Sequence, residues 1–260
     1  MNDHSPGSGR SDGPIGLDSP LARKLHRMAA LSDDDRQRLA VALSRARLVE
    51  AHADILAEGD DPRAVNVVLD GWACRYRQLA DGRRQIVTLL LPGDVCDPQV
   101  FRKRHVHHAL CALTPITLAQ IPGGAFQELT ARSATLEAAF LHERLTTTAI
   151  QHEWTVSLGR RSAIERTAHL LCELHARLEA VGLADAVSCP MPLTQIDLAD
   201  ALGQTPVHIN RVLRDLRSQA LLILRHRRLT LVDGARLRAL ALFDPAYLFD
   251  DDITGSAQET

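Results

Sequence analysis

The stretch from Leu193 to Arg217 leaves few folds open to this chain. Thr194, followed three residues later by Asp197, has the form of a capping box with aspartate where glutamate is usual. The helix it opens carries Ile196, Leu198, Ala199 and Leu202 for packing. Gly203 stands where a tight inter-helix turn needs a residue tolerant of positive φ. Thr205 can cap a second helix, and Pro206 takes its first position, where a missing N–H costs nothing. That second helix is expected to bury Ile209, Val212, Leu213 and Leu216, and to turn Gln204, His208, Arg211 and Arg214 outward.

Downstream, Leu221 to Gly234 reads as two short strands around a basic turn, His226-Arg227-Arg228. The whole chain has a formal net charge of −2, yet between Gln204 and Leu240 eight arginines stand against two acids. Paired helices with a polar, arginine-bearing second helix and a basic wing meet the needs of major-groove recognition. An arginine such as Arg211 can grip guanine bidentately, and Asn or Gln can do the same for adenine. Arg225, Arg227 and Arg228 would lie near the phosphate backbone. Double-stranded DNA is therefore the expected partner. An ordinary αα-hairpin with a solvated arginine face explains the helices but not the wing.

Upstream the periodicity is different. From about Ala46 to Pro122, Val65, Val67 and Leu69 alternate with Asn66, Val68 and Asp70, and Trp72, Cys74 and Tyr76 oppose Arg75 and Arg77. This period of two marks half-buried strands. Asp70-Gly71 and Asp81-Gly82 suit tight hairpins, and further strands fit His107–Leu113 and Ile116–Ile121. An antiparallel roll or barrel of about eight strands follows. Ser133 to Leu158 lacks Gly and Pro and predicts a helix of about 26 residues, near 39 Å long. Its residues Leu136, Phe140, Thr147, Ile150 and Trp154 form a coiled-coil-like seam that a second copy of the chain can bury; packing against its own sheet is the plainer alternative. Gly159 is a candidate hinge. Ala163–Ala180 is a further amphipathic helix, 182–192 a loop, and Leu21–Leu43 a helical lead-in with Ser32 as a cap. The fold class is α+β. The expected division is a disordered tail at 1–20, a β-roll sensor at 21–130, a dimerisation helix and hinge at 131–160, a winged helix-turn-helix at 161–245 and a second tail at 246–260.

Taken together, Ile55-Leu-Ala-Glu-Gly-Asp, Val67-Val-Leu-Asp-Gly, Asp81-Gly-Arg-Arg-Gln, Leu91-Pro-Gly-Asp and Leu193–Arg211 make the chain resemble the Crp/Fnr superfamily from about Leu21 to Ala241. The resemblance implies a cyclic-nucleotide-binding-type β-roll, a long dimerisation helix and a C-terminal winged helix-turn-helix. It further implies a homodimer on a near-palindromic operator, with RNA polymerase as a second partner. Arg211 falls on the family's guanine-contacting arginine. The position of a second base-reading arginine is Pro206 here, and the frequent glutamate is Val207, so operator sequence should differ, with Thr205, His208 and Asn210 as readers.

On the effector side the chain departs from that family. Nucleotide-binding members carry Gly-Glu and then Arg-Ser, whereas after Pro92-Gly-Asp this chain has Val95-Cys-Asp-Pro and, near the Arg-Ser position, Val106-His107-His108. Cyclic AMP is therefore not expected. Arg102, Lys103 and Arg104 could stand in for the missing arginine, though a solvated loop is the plainer reading. Iron–sulfur binding is disfavoured because the N-terminal cysteine cluster of that branch is missing. Haem or metal ligation by His105, His107, His108 and Cys96 competes with an ordinary His-rich strand, and no cofactor is expected. The five cysteines are scattered without a C-x-x-C, which suits buried thiols in a reducing cytoplasm; Cys74 and Cys96 are weighed as redox switches. No signal core or membrane-length apolar run is found, and no nucleotide-binding, hydrolase or metalloprotease motif, so enzymatic activity is not expected. The competing functional reading is a ligand- or redox-sensing module that works mainly through protein interaction.

Overall fold

The computed structural model describes residues 17–96 and 105–249. Two short helices come first, α1 (Pro20–Met28) and α2 (Asp33–Leu43). The lead-in is thus broken in two, because Ser32 starts afresh: its hydroxyl accepts from the Asp35 amide while Asp35 takes the Ser32 amide. Eight strands follow: β1 (Ala46–Val49), β2 (Asp54–Leu56), β3 (Ala64–Asp70), β4 (Ala73–Gln78), β5 (Arg84–Leu90), β6 (Val95–Cys96), β7 (Ala109–Ala112) and β8 (Ile116–Pro122). They form two antiparallel sheets, ordered β1-β8-β3-β6 and β2-β7-β4-β5. Gly71 makes the β3–β4 corner at φ +79°, where an added Cβ would lie 2.4 Å from the Pro115 carbonyl oxygen. No other residue type fits that corner.

The strand β3 is not half-buried. Val65 and Val67 face α1, α2 and a further helix, α3 (Gly123–Ala131), while Val68 joins the interior of the roll with Leu90, Leu110 and Leu118. Helices laid on the outside of the sheet leave it no wet face.

The long helix, α4 (Ala134–Arg160), runs through Gly159 without a break. The turn comes at Arg161, whose backbone is extended, and the Ser162–Glu165 capping box then opens α5 (Ala163–Ala180). A single glycine costs a helix about 1 kcal/mol but does not end it; a fresh N-cap does. The expected seam is also corrected. Leu136 and Phe140 pack under α1 and α3, Ile150 and Trp154 pack against α5 and the second sheet, and Thr147 is half-buried. The apolar residues that α4 leaves uncovered are Leu141 and Leu145, at 55% and 57% exposure, and beyond them Val156 and Leu158.

The C-terminal part comprises β9 (Ser188–Pro190), α6 (Gln195–Leu202), α7 (Pro206–Ser218), β10 (Leu222–Arg225), β11 (Arg228–Leu231) and α8 (Gly234–Ala241). Its sheet runs β10-β11-β9, so the expected loop at 182–192 contributes a strand. The described parts of both expected tails belong to the fold. Ser19 is a buried cap for α1, and Pro245–Tyr247 forms a 3-10 turn that seats buried Leu248 on the main core.

Candidate nucleic-acid interface

The α6–α7 unit is built as its residues dictate. The Thr194 amide donates to the Asp197 carboxylate at 2.9 Å and the Asp197 amide to the Thr194 hydroxyl at 3.1 Å, Gly203 turns the chain at φ 61°, and the Thr205 hydroxyl accepts from the His208 amide at 3.2 Å. Ile209, Val212, Leu213 and Leu216 are buried. Ile196, expected to pack, is instead 61% exposed, because the buried face of α6 is made by Asp197, Leu198, Ala199, Ala201 and Leu202.

On the outer face of α7, Val207, Arg211 and Arg214 are exposed and Asn210 is half-buried. Asn210 donates to the Gln195 side chain and accepts from Arg214, each at 3.2 Å. Gln195, the first residue of α6, therefore belongs to this face, although its sequence position gave only a helix start. These side chains line one shallow groove with Pro206. His208 is half-buried and does not line that groove, and Thr205 is exposed with its hydroxyl engaged in the cap. Gln204 is a correction: both of its side-chain amide atoms are buried. The turn before it presses on the rest of the chain, with Leu158 and Gln85 within 3.6 Å of a Cβ built at Gly203. Gln204 is consequently turned inward.

The wing is a two-residue hairpin in which His226 and Arg227 both hold positive φ, 50° and 56°. Asn-Gly usually fills such a turn. Here each left-handed side chain costs on the order of 1 kcal/mol. Arg225 and Arg228 face each other across the strands, an unfavourable like-charge pair, and Arg228 is steadied by the Ser188 hydroxyl at 2.7 Å. All four tip residues are exposed. A polyanion placed at this tip would relieve the repulsion between Arg225 and Arg228.

What aims this unit is its attachment to the roll. The last carbonyls of a helix lack intrahelical partners. In α6 these are taken by the Gln85 amide of β5, which donates to the Ala201 oxygen at 3.1 Å, and by Arg166 of α5, which donates to the Leu202 oxygen at 2.9 Å. Beneath lies a buried ionic cluster. Lys24 of α1 meets Asp94 and Glu143 at 2.7 Å each, and Arg177 of α5 meets Asp94 at 2.6 Å and Glu173 at 3.1 Å. Burial pushes the Asp94 carboxyl up, but Lys24 and Arg177 outweigh it and hold it below the usual carboxylate range. Burial wins at Glu143 and Glu173, which are pushed up. Trp154 and Tyr247 both donate to Glu173, at 3.0 and 3.1 Å.

The effector-side candidates come out differently. Arg102, Lys103 and Arg104 lie outside the described residues, as do Asp97 and Pro98. His105, His107 and His108 are exposed and precede β7 rather than forming it. No cluster of three or more metal-ligating side chains occurs among the described residues. All five cysteines are buried, and burial pushes the Cys74 thiol up to about 12, which removes the thiolate that a switch at Cys74 needs. No helix among the described residues is long and apolar enough to cross a membrane.

Comparison with known proteins gives matches to the cyclic nucleotide-binding domain over residues 46–133 and to the Crp-like helix-turn-helix domain over residues 165–240. The nitrogen fixation regulation protein FixK of Bradyrhizobium diazoefficiens is 34% identical over 194 residues, spanning 72% of this chain and 78% of that protein. The transcriptional activator protein FnrL of Cereibacter sphaeroides is 29% identical over 195 residues, spanning 74% of this chain and 78% of its own length. Among solved structures, FixK2 from Bradyrhizobium japonicum superposes with a TM-score of 0.66 at 25% identity, covering 75% of this chain and 96% of that one.

Proposed function

This chain belongs to the Crp/Fnr family of transcriptional regulators, and we propose that it acts as a homodimer reading a near-palindromic operator in double-stranded DNA. The observation that carries the reading is the uncovered face of α7: Val207, Arg211 and Arg214 project from a helix whose opposite side is fully packed, and the basic wing tip is exposed in the same domain. Two such units related by a two-fold axis enter successive major grooves and impose the symmetry of the site. Selecting bound fragments from random-sequence DNA tests this. A two-fold symmetric consensus is expected, and no enrichment would remove the proposal. Transcription from a template bearing that site, with and without the protein, then reports engagement of RNA polymerase and its sign.

Dimerisation uses the α4 face that the fold leaves uncovered: Leu141, Leu145, Thr148, His152 and Val156, at steps of four, three, four and four. Leu145→Glu is expected to raise the dimer dissociation constant at least about a hundredfold, since two leucines lose roughly 1.5–3 kcal/mol of burial each. Analytical ultracentrifugation checks it. A variant that stays dimeric at low micromolar concentration places the interface elsewhere.

The wing contributes charge rather than base reading. Arg227→Ala is expected to weaken binding to every sequence alike and to reduce the slope of log K against log salt by about 0.9 per protomer. Anisotropy titrations over a salt series measure it. An unchanged slope means that Arg227 touches no phosphate.

A further inference from the structure

A cavity of about 80 Å³ lies between α1, the Leu91–Asp94 turn, α4, α5 and the C-terminal 3-10 segment. It shares no lining residue with the recognition groove, and its walls come from both halves of the molecule: α1, the roll and α4 on one side, α5 and Leu248-Phe249 on the other. Much of the wall is apolar, formed by Leu91, Pro92, Ile150, Val181, Leu248 and Phe249.

Two polar side chains interrupt it. His142 and Thr146, one turn apart on α4, line the cavity and are 9% and 8% exposed. Neither side chain has a hydrogen-bond partner among the described residues, although the nearby Thr148 and Thr155 both donate to their own helix. Both residues are more than nine-tenths buried, yet their polar atoms are not sealed off, so whatever satisfies them reaches them through the cavity they line. The charges on the wall select the sign. Lys24 and Arg177, on the wall, are matched by Asp94, Glu143 and Glu173 of the buried cluster. Arg27, also on the wall, has no carboxylate partner among the described residues; its guanidinium rests 5.2 Å over the Phe249 ring.

We propose that this cavity is a binding site for a small monocarboxylate with an apolar body, whose carboxylate accepts from Thr146, His142 and Arg27 while the chain lies against Ile150, Val181 and Leu248. One water needs about 10–15 Å³ of such volume, so the space suits a molecule of roughly five to eight non-hydrogen atoms. Binding does not depend on the DNA-binding reading and is measured without DNA.

The test is calorimetric titration of the full chain with the straight-chain series acetate to octanoate, and with 1-pentanol as the neutral match to pentanoate. Affinity is expected to rise about fourfold per methylene, and to stop rising once the cavity is full. Pentanol should bind at least about tenfold more weakly than pentanoate. Thr146→Val, which keeps shape and removes the hydroxyl, should weaken pentanoate about tenfold, and Ala180→Met should abolish binding by filling the space. Circular dichroism establishes that each variant is folded, and Thr146→Val, being close to isosteric, keeps the test open if Ala180→Met is not. No binding by any acid at millimolar concentration, equal binding of pentanol, or pentanoate binding unchanged in a folded Thr146→Val would each overturn the assignment.

Discussion

Arg211→Ala will erase discrimination at one base pair of each half-site while leaving the protein folded. Arg211 is exposed on α7, beside the hydrogen-bonded run Gln195–Asn210–Arg214 that holds the neighbouring groups in register. A bidentate arginine–guanine contact carries about 1–3 kcal/mol of discrimination, so affinity for the selected operator should fall roughly 5- to 150-fold per half-site. Binding to unrelated DNA should change far less, because the wing and Arg214 remain. An exposed substitution of this kind shifts stability by no more than about 0.5 kcal/mol. Competition titrations against operators altered one base pair at a time give the measurement. If the ranking of those operators is the same for variant and wild type, α7 does not read bases through Arg211.

Asp94→Ala is expected to destabilise the protein by about 3–5 kcal/mol, a large fraction of the margin of any domain. Asp94 accepts from Lys24, from Arg177 and from the Leu91 amide at 2.7 Å. Its loss leaves Lys24 with Glu143 alone and Arg177 with Glu173 alone, and removes the carboxylate that stands between the two buried cations. Urea titration measures the effect, and Asp94→Asn, which keeps an acceptor, should fall between the two. The pH dependence has a definite sign. Lys24 and Arg177 depress the Asp94 carboxyl against the upward push of burial. Its contribution is therefore complete above the unfolded value of about 4 and disappears as pH falls through the lower folded value. The gap between wild type and Asp94→Ala should close in acid. A gap independent of pH would mean that Asp94 acts through shape, not charge.

The same cluster explains why the domains hold together as they do. Asp94 comes from the roll, Arg177 from the first helix of the DNA-binding part, Lys24 from α1 and Glu143 from α4. Around it, Trp72, just before β4, and Ile86 and Leu89 of β5 share one apolar core with Leu171, Leu198 and Leu213. The recognition unit is thus carried on the roll rather than hung from it by a linker, with Gln85 of β5 bonded directly to the end of α6.

Local order was fixed by neighbouring residues alone. The boxes at Ser32 and Thr194, the left-handed Gly203, the Thr205-Pro206 start of α7 and the hairpin through His226-Arg227 each involve groups a few residues apart, so their chemistry is complete within a short stretch of sequence. Family membership and the position of Arg211 were legible for that reason. What depended on distant packing was not. The α4 seam at Leu136, Phe140, Ile150 and Trp154 has the right spacing for a partner helix, yet spacing cannot say which apolar surface arrives first; the chain's own α1, α3 and α5 do. The inward turn of Gln204, the exposure of Ile196, the place of Gln195 beside Asn210 and the pairing of Lys24 with Glu143 all join groups far apart in the chain or depend on what covers a helix end. Periodicity names the side of a helix that is apolar; only the tertiary structure decides what that side meets.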